Sequence, residues 1–279
     1  MRIFLSALGF LAVVLGLLYH FAALRVFSLL VPKDAGVANV QTAVAYGSDP
    51  RHRLDLYTPA GQGPFPVLLF VYGGSWDSGH RQDYGFVGHA FAARGFLTAI
   101  ADYRLVPDAH YPDFVDDAAR AVAWLAAESG RFGGDPSRLC VAGHSAGAYT
   151  AVQAVLRNGL RHKVKAMASL AGPFDFLPLD SPKTIAAFGA VSNLEETQPV
   201  SADLADAPPL LLLHGRDDTT VGLHNSWNMK AAYDRAGRTS ALKIYDGMGH
   251  VGILLALAKP LRGRGPVLDD AAAFLHKYC

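Results

Sequence analysis

Three kinds of side chain in this sequence could together attack a carbonyl carbon. Ser145 lies in the run VAGHSAGAY, with Gly143 and Gly147 two residues to either side. A serine hydroxyl is a weak nucleophile and acts only beside a base that a third group orients. Two later stretches carry those types. LLLLHGRDDTTV holds the adjacent carboxylates Asp217 and Asp218, and LKIYDGMGHVGIL holds His250 in a glycine-flanked loop. His224 is a rival base, but it stands where the chain runs into a helical pattern. His144 neighbours the serine and is expected to point away from it, and His214 closes an apolar run.

A glycine-flanked serine is by itself a weak signal in a chain with 28 glycines among 279 residues. Its setting strengthens it. RLCVAGH reads as a buried strand and AGAYTAVQAVLRN as a helix, so Ser145 falls at a strand-to-helix turn. Such a turn needs little bulk at residues 143 and 147, lifts the hydroxyl clear of the sheet and aims a helix N-terminus at developing negative charge. Attack would leave an oxyanion, which each aimed backbone N–H stabilises by about 3–4 kcal/mol. Gly74 and Ser75 in VYGGSWDSG, with Ala146, are the candidate donors. Trp76, Phe174 and Phe176 are candidates for lining an acyl pocket.

The elements that must hold these groups follow from the pattern. VQTAVAY and RLDLY, joined by GSDPRH, read as an edge hairpin. VLLFVYGG, FLTAIADY, LCVAGHS, KAMASLAG, LLLLHG and LKIYDG are apolar runs too short for helices, as suits parallel strands buried on both faces. Between them lie helical patterns, the clearest being FVDDAARAVAWLAAES with Asp116 and Asp117 in its first turn. The expected class is therefore α/β, a mostly parallel sheet with helices on both faces and ligands outside the carboxyl ends of the strands. Asp102, Tyr103 and Arg104 are expected to brace a sheet end, and Asp117 to cap or pair locally.

From about Val40 onward the chain resembles the α/β-hydrolases of the carboxylesterase type. VYGGSWDSG resembles their H-G-G-x-W loop, ADYRLVPDAHYPDFVDDAARAVAWL the stretch after it, and FGGDPSRLCVAGHSAGAY the surroundings of their nucleophile. The short G-G-S-W form looks most like the branch of feruloyl esterases, prenylcysteine methylesterases and kynurenine formamidases. The resemblance implies a central sheet of about eight strands and the order nucleophile, acid, base. The pattern H-G-x-x-D-x-x-V falls on His214, Gly215, Asp218 and Val221, favouring Asp218 over Asp217. One departure stands out: Tyr72 occupies the position where the family usually has histidine.

Composition narrows the partners. The 25 basic and 24 acidic residues are spread along the chain, leaving no basic stripe for nucleic acid, so a small-molecule ester is the expected partner. No metal or organic cofactor is implied. Two cysteines, Cys140 in an apolar run and Cys279 at the end, read as a buried thiol and a loose one.

The segment Ile3–Leu24 contains no Asp, Glu, Lys or Arg. As a helix it would span about 33 Å, enough to cross a bilayer. An uncleaved anchor is favoured over a signal peptide, whose apolar core is usually shorter; flanking Arg2, Arg25 and Lys33 set no orientation. The expected organisation is a hydrophobic segment over 1–31, a linker over 32–39 and a catalytic domain over 40–279. The localisation is membrane-anchored, or secreted or periplasmic if the segment is cleaved. The expected function is serine-dependent cleavage of a carboxylic ester through an acyl-enzyme. Alternatives are a formamidase-like amidohydrolase and, from another class, a non-catalytic membrane-tethered binding protein. Only about 36 residues, 172–207, separate two core strands where lids are often inserted, so a large lid is not expected.

Overall fold

A computed structural model describes residues 23–279. Helical turns over residues 23–30 (α1) lead to Val31, whose side chain is buried. Eight strands then form one sheet: β1 (Val37–Ala45), β2 (Arg53–Pro59), β3 (Phe65–Val71), β4 (Leu97–Ala101), β5 (Gly134–His144), β6 (Val164–Leu170), β7 (Leu210–Gly215) and β8 (Ser240–Tyr245). Their order is β1-β2-β4-β3-β5-β6-β7-β8, with β2 antiparallel to both neighbours and every later pairing parallel. The apolar runs behave as their composition requires. Leu68, Leu69 and Phe70 of β3 and Leu212 and Leu213 of β7 are fully buried, covered on both faces.

The helices are α2 (Gly85–Ala92), α3 (Asp113–Glu128), α4 (Ala146–Arg157), α5 (Pro182–Phe188), α6 (His224–Arg235), α7 (His250–Leu255) and α8 (Val267–Tyr278). Every residue of α4 from Ala146 to Leu156 is buried. Its small residues let it lie against β3, β5, β6 and α3 at once. The helix after Ser145 is thus fixed from several sides.

Two expectations are corrected. The first strand starts at Val37 and takes in the end of the expected linker over 32–39. Gly36, at φ +93°, turns the chain and accepts a hydrogen bond from the Ala60 N–H at 2.8 Å, so pairing begins with Val37 opposite Pro59. The alternating pattern understated this strand because most of its side chains are exposed. The two cysteines, read as separate thiols, form a disulfide with a Cα–Cα distance of 6.5 Å. Helix α8 buries Val267, Leu268, Ala271, Ala272 and Leu275 against the sheet, and this packing carries its last residue to β5. A separation of 139 residues gave no local sign of the pairing.

Among the described residues no helix is long and apolar enough to cross a membrane. The expected anchor over 3–24 lies, apart from its last two residues, outside them.

Closing so long a loop restricts the unfolded chain, and bonds of this kind contribute about 2–4 kcal/mol. Cys279→Ser is expected to lose that amount in urea unfolding. Dithiothreitol should lower the melting temperature of the parent protein and leave that of the variant unchanged. Equal sensitivity of both proteins would show that the bond does not form in solution.

Candidate active site

The turn between β5 and α4 carries Ser145 at φ +55°, ψ −129°, a conformation that costs an L-residue of order 1–3 kcal/mol. Three glycines make it possible. A Cβ on Gly143 would lie 2.5 Å from the Gly147 carbonyl oxygen, one on Gly147 would strike the carbonyls of Val71 and Tyr72, and one on Gly73 would sit 2.9 Å from the Ser145 Cβ. The helix start, the serine and the end of β3 are thereby pressed together. The Ser145 N–H donates to Leu170 O at 2.9 Å, tying the turn to β6.

His250, the first residue of α7, places Nε2 2.8 Å from Ser145 Oγ and Nδ1 2.8 Å from Asp218 Oδ2. Asp218 Oδ1 accepts the N–H groups of Thr220 and Val221, each at 2.9 Å. Asp217 is exposed and meets Met248 only through its backbone. Burial opposes ionisation of Asp218, yet the bonds from His214, His250 and Val221, with the charge of His250, outweigh it. The carboxyl is held well below the usual range. A carboxylate facing Nδ1–H leaves Nε2 of the neutral imidazole free to take the serine proton.

Two further histidines steady this pair. Fully buried His214 has Nε2 2.9 Å from Val221 O and 3.3 Å from Asp218 Oδ2, and Nδ1 2.7 Å from Ser226 Oγ. His144 Nε2 donates to the His250 carbonyl at 3.0 Å. Burial first, and then the charge of His250, push His144 down to about 3, so it stays neutral beside a base that must become cationic. The rival His224 stands on the wall of the cavity beside the serine, its Nε2 3.1 Å from Asp175 O and without a hydrogen bond to Ser145 or Asp218. Residue spacing hid the bracing role of His144. For His214 the signal was its place in the H-G-x-x-D-x-x-V pattern.

After β3 the chain turns sharply through Gly74 (φ +132°), Ser75 (φ +51°) and Trp76 (φ +61°). Gly74 O accepts both Asp77 N–H at 3.1 Å and Ser78 Oγ–H at 2.8 Å. The N–H groups of Gly74, Ser75 and Ala146 make no backbone hydrogen bond among the described residues. Tyr72 fixes the root of this loop. Its ring is stacked between Tyr84 and Tyr103 at centroid distances of 5.2 and 4.9 Å. Its hydroxyl donates to Asp102 Oδ1 at 2.8 Å and accepts from Arg51 Nη2 at 2.8 Å; the same guanidinium nitrogen donates to Gly79 O at 3.0 Å. The family's histidine is thus replaced by a buried phenol anchored at both ends of the loop. Asp102 also accepts from the Arg81 N–H, and Asp117 pairs with Arg104 and His52, so both carboxylates brace the sheet end.

Ser145 opens onto a cavity of about 550 Å³ walled by Ser75, Trp76, Phe176, Lys183 and His224. Phe174, expected there as well, does not line it. Its ring is fully buried and folded back under Gly172, and its N–H, like that of Asp175, donates to Asn225 Oδ1 at 2.8 Å. Between β6 and β7 the chain forms the short helix α5 and two helical turns over Leu194–Thr197 and Pro199–Ser201, and α5 with the loop before it lines one side of the cavity.

Sheet order and elbow define the α/β-hydrolase fold, and solved structures agree. A structure of esterase B from Lactobacillus rhamnosis superposes with a TM-score of 0.79 at 19% identity, covering 96% of this chain and 95% of that one. The chain belongs to the BD-FAE family, whose sequence profile matches residues 54–233. Curated relatives include a probable isoprenylcysteine alpha-carbonyl methylesterase of Oryza sativa subsp. japonica, 30% identical over 85% of this chain and 64% of that protein. Another is esterase LipC of Mycobacterium tuberculosis, 28% identical over 84% of this chain and 64% of that protein. The chain thus spans a little under two thirds of the length of these relatives.

The lowered Asp218 carboxyl has a consequence for stability. A group whose folded value lies below its unfolded value, about 3.9, stabilises the fold above that value and loses the contribution as pH falls through the folded one. The stability difference between the parent and Asp218→Asn is therefore expected to be constant above about pH 5 and to shrink on acidification. Urea unfolding from pH 6 to pH 2.5 measures it; a difference that widens towards acid would contradict the assignment.

Proposed function

We propose that the protein is a serine carboxylesterase. The observation that carries the proposal is the continuous hydrogen-bonded line from Asp218 through His250 to Ser145 Oγ, both links 2.8 Å, at the mouth of a cavity. His250 accepts the hydroxyl proton as Ser145 Oγ bonds to the ester carbonyl carbon. The oxyanion is stabilised by the N–H groups of Gly74, Ser75 and Ala146. Collapse breaks the bond to the alcohol oxygen, which takes the proton from His250 and leaves an acyl-enzyme. Water then attacks that acyl group with His250 again as base, and the acid is released. The activities for which the relatives are named, a methylesterase and an esterase, support ester over amide.

We also propose that residues 3–24 anchor this domain to a membrane, since an uncharged helix satisfies its own backbone hydrogen bonds in lipid. The Cys140–Cys279 bond favours the oxidising side of that membrane, where disulfides persist.

Ser145→Ala is expected to abolish labelling by a fluorophosphonate probe and to lower kcat for p-nitrophenyl acetate by on the order of 10⁵-fold or more. Asp218→Asn should cost on the order of 10⁴-fold through the wrong imidazole tautomer, while Asp217→Asn stays within a few-fold. Undiminished hydrolysis by the alanine variant would refute the nucleophile, and a larger loss at 217 than at 218 would exchange the acids. For the anchor, fractionation should find the full-length protein with membranes at its uncleaved mass. A soluble protein shortened at its N-terminus would support a signal peptide instead.

A further inference from the structure

A second cavity, about 590 Å³, opens from the other side of Ser145, and its far wall is α1. Leu24 and Phe27, three apart on one face of that helix, stand across from Val251, Leu254 and Leu255 on α7. Helix α1 is held there by named contacts. Phe27 meets Phe86 edge-on at 5.4 Å, Ser28 Oγ donates to Gln82 O at 3.3 Å, and Arg25 pairs with Asp83 at 3.4 Å. The two charged groups on the cavity's lining have partners: Asp83 in Arg25, and Lys183 in Asp77 at 2.9 Å. The lining also carries the hydroxyls of Ser75, Ser78 and Thr220 and the rings of His144 and His250, while α1 and α7 contribute the apolar Leu24, Phe27, Val251, Leu254 and Leu255.

The chemistry of the proposed reaction tells the two cavities apart. The leaving oxygen must lie against His250, which protonates it, while the carbonyl oxygen turns to Gly74, Ser75 and Ala146. His250 borders the second cavity and not the first. Once those two directions are taken, the acyl group is left with the cavity beside Trp76 and Phe176. We infer that the groove between α1 and α7 is the alcohol site, and that it selects esters whose alcohol carries an extended apolar chain, with Leu24 and Phe27 as specificity-determining residues. The inference rests on the esterase reading. Val26, Leu29 and Leu30 on the outer face of α1 are 50%, 68% and 78% exposed, so apolar surface continues from the groove mouth outward. An ester delivered from a lipid surface would meet this side first.

The test uses the full-length protein in detergent and two substrate series. One holds the acyl group as acetate and lengthens the alcohol from ethyl to octyl; the other holds the alcohol as ethanol and lengthens the acyl group from acetyl to octanoyl. In the alcohol series kcat/KM is expected to rise about twofold per added methylene, short of the roughly fourfold of complete burial because the groove is open. Phe27→Ala and Leu24→Ser should each lower kcat/KM for octyl acetate about tenfold, with ethyl acetate and the acyl series within twofold of the parent. Leu255→Ala, on the opposite wall, should give the same signature, which keeps the test valid should either α1 variant misfold. Octyl acetate no better than ethyl acetate, or α1 variants that change the acyl series instead, would overturn the assignment. Failure of the parent protein to cleave even p-nitrophenyl acetate would defeat the esterase reading itself.

Discussion

The close approach of the β3 end to the start of α4 is the constraint on which the rest depends. Gly147 lies against the carbonyls of Val71 and Tyr72 so tightly that no side chain fits between them. That contact forces Ser145 into its left-handed conformation and brings the Gly74–Ser75 turn beside the serine. The candidate nucleophile and the Gly74–Ser75 donors come from segments some 70 residues apart. They meet because one glycine lets two backbones touch. The strain at Ser145, Ser75 and Trp76 is offset by the fully buried α4 and by the Tyr72–Asp102–Arg51 cluster beneath the loop.

Charge is distributed around this point in layers. Asp218 is buried and kept ionised by donors on every side, so the charge that His250 gains on accepting a proton is met by a fixed partner. His144, its ring centroid 4.8 Å from that of His250 and forced neutral by burial, holds the candidate base by its backbone without adding a competing cation. His214 ties the acid loop to α6 through Ser226. Such an arrangement needs little reorganisation when charge develops, which is where electrostatic preorganisation has its effect.

The surroundings give the reaction its sides. Cavities with different walls meet at Ser145: one is lined by Trp76, Phe176 and polar groups of α5, the other has an apolar side formed by α1 and α7. The wall formed by α1 makes the segment ahead of the sheet part of the site's surface as well as a connection to the uncharged N-terminus. The disulfide joins the chain end after α8 to β5, the strand that delivers the serine.

The fold class and the main site residues were legible in the sequence because they depend on local rules. Short apolar runs bounded by glycine and proline must be buried strands, a small-residue turn between strand and helix must expose its central side chain, and carboxylate and histidine at later strand ends share the sheet's carboxyl edge. What adjacent positions cannot express was decided by tertiary contact. Asp217 and Asp218 differ only in which of them faces inward once β7 and the Met248 loop pair. Phe174 and Phe176 sit two residues apart, yet the first, its N–H bonded to Asn225, is buried in the core and the second stands at the cavity. Cys140 and Cys279 join because α8 packs across the sheet, and His144 braces His250 because α7, packed on β7, starts beside the end of β5. In each case the deciding partner is far along the chain, and only burial of the intervening elements brings it into reach.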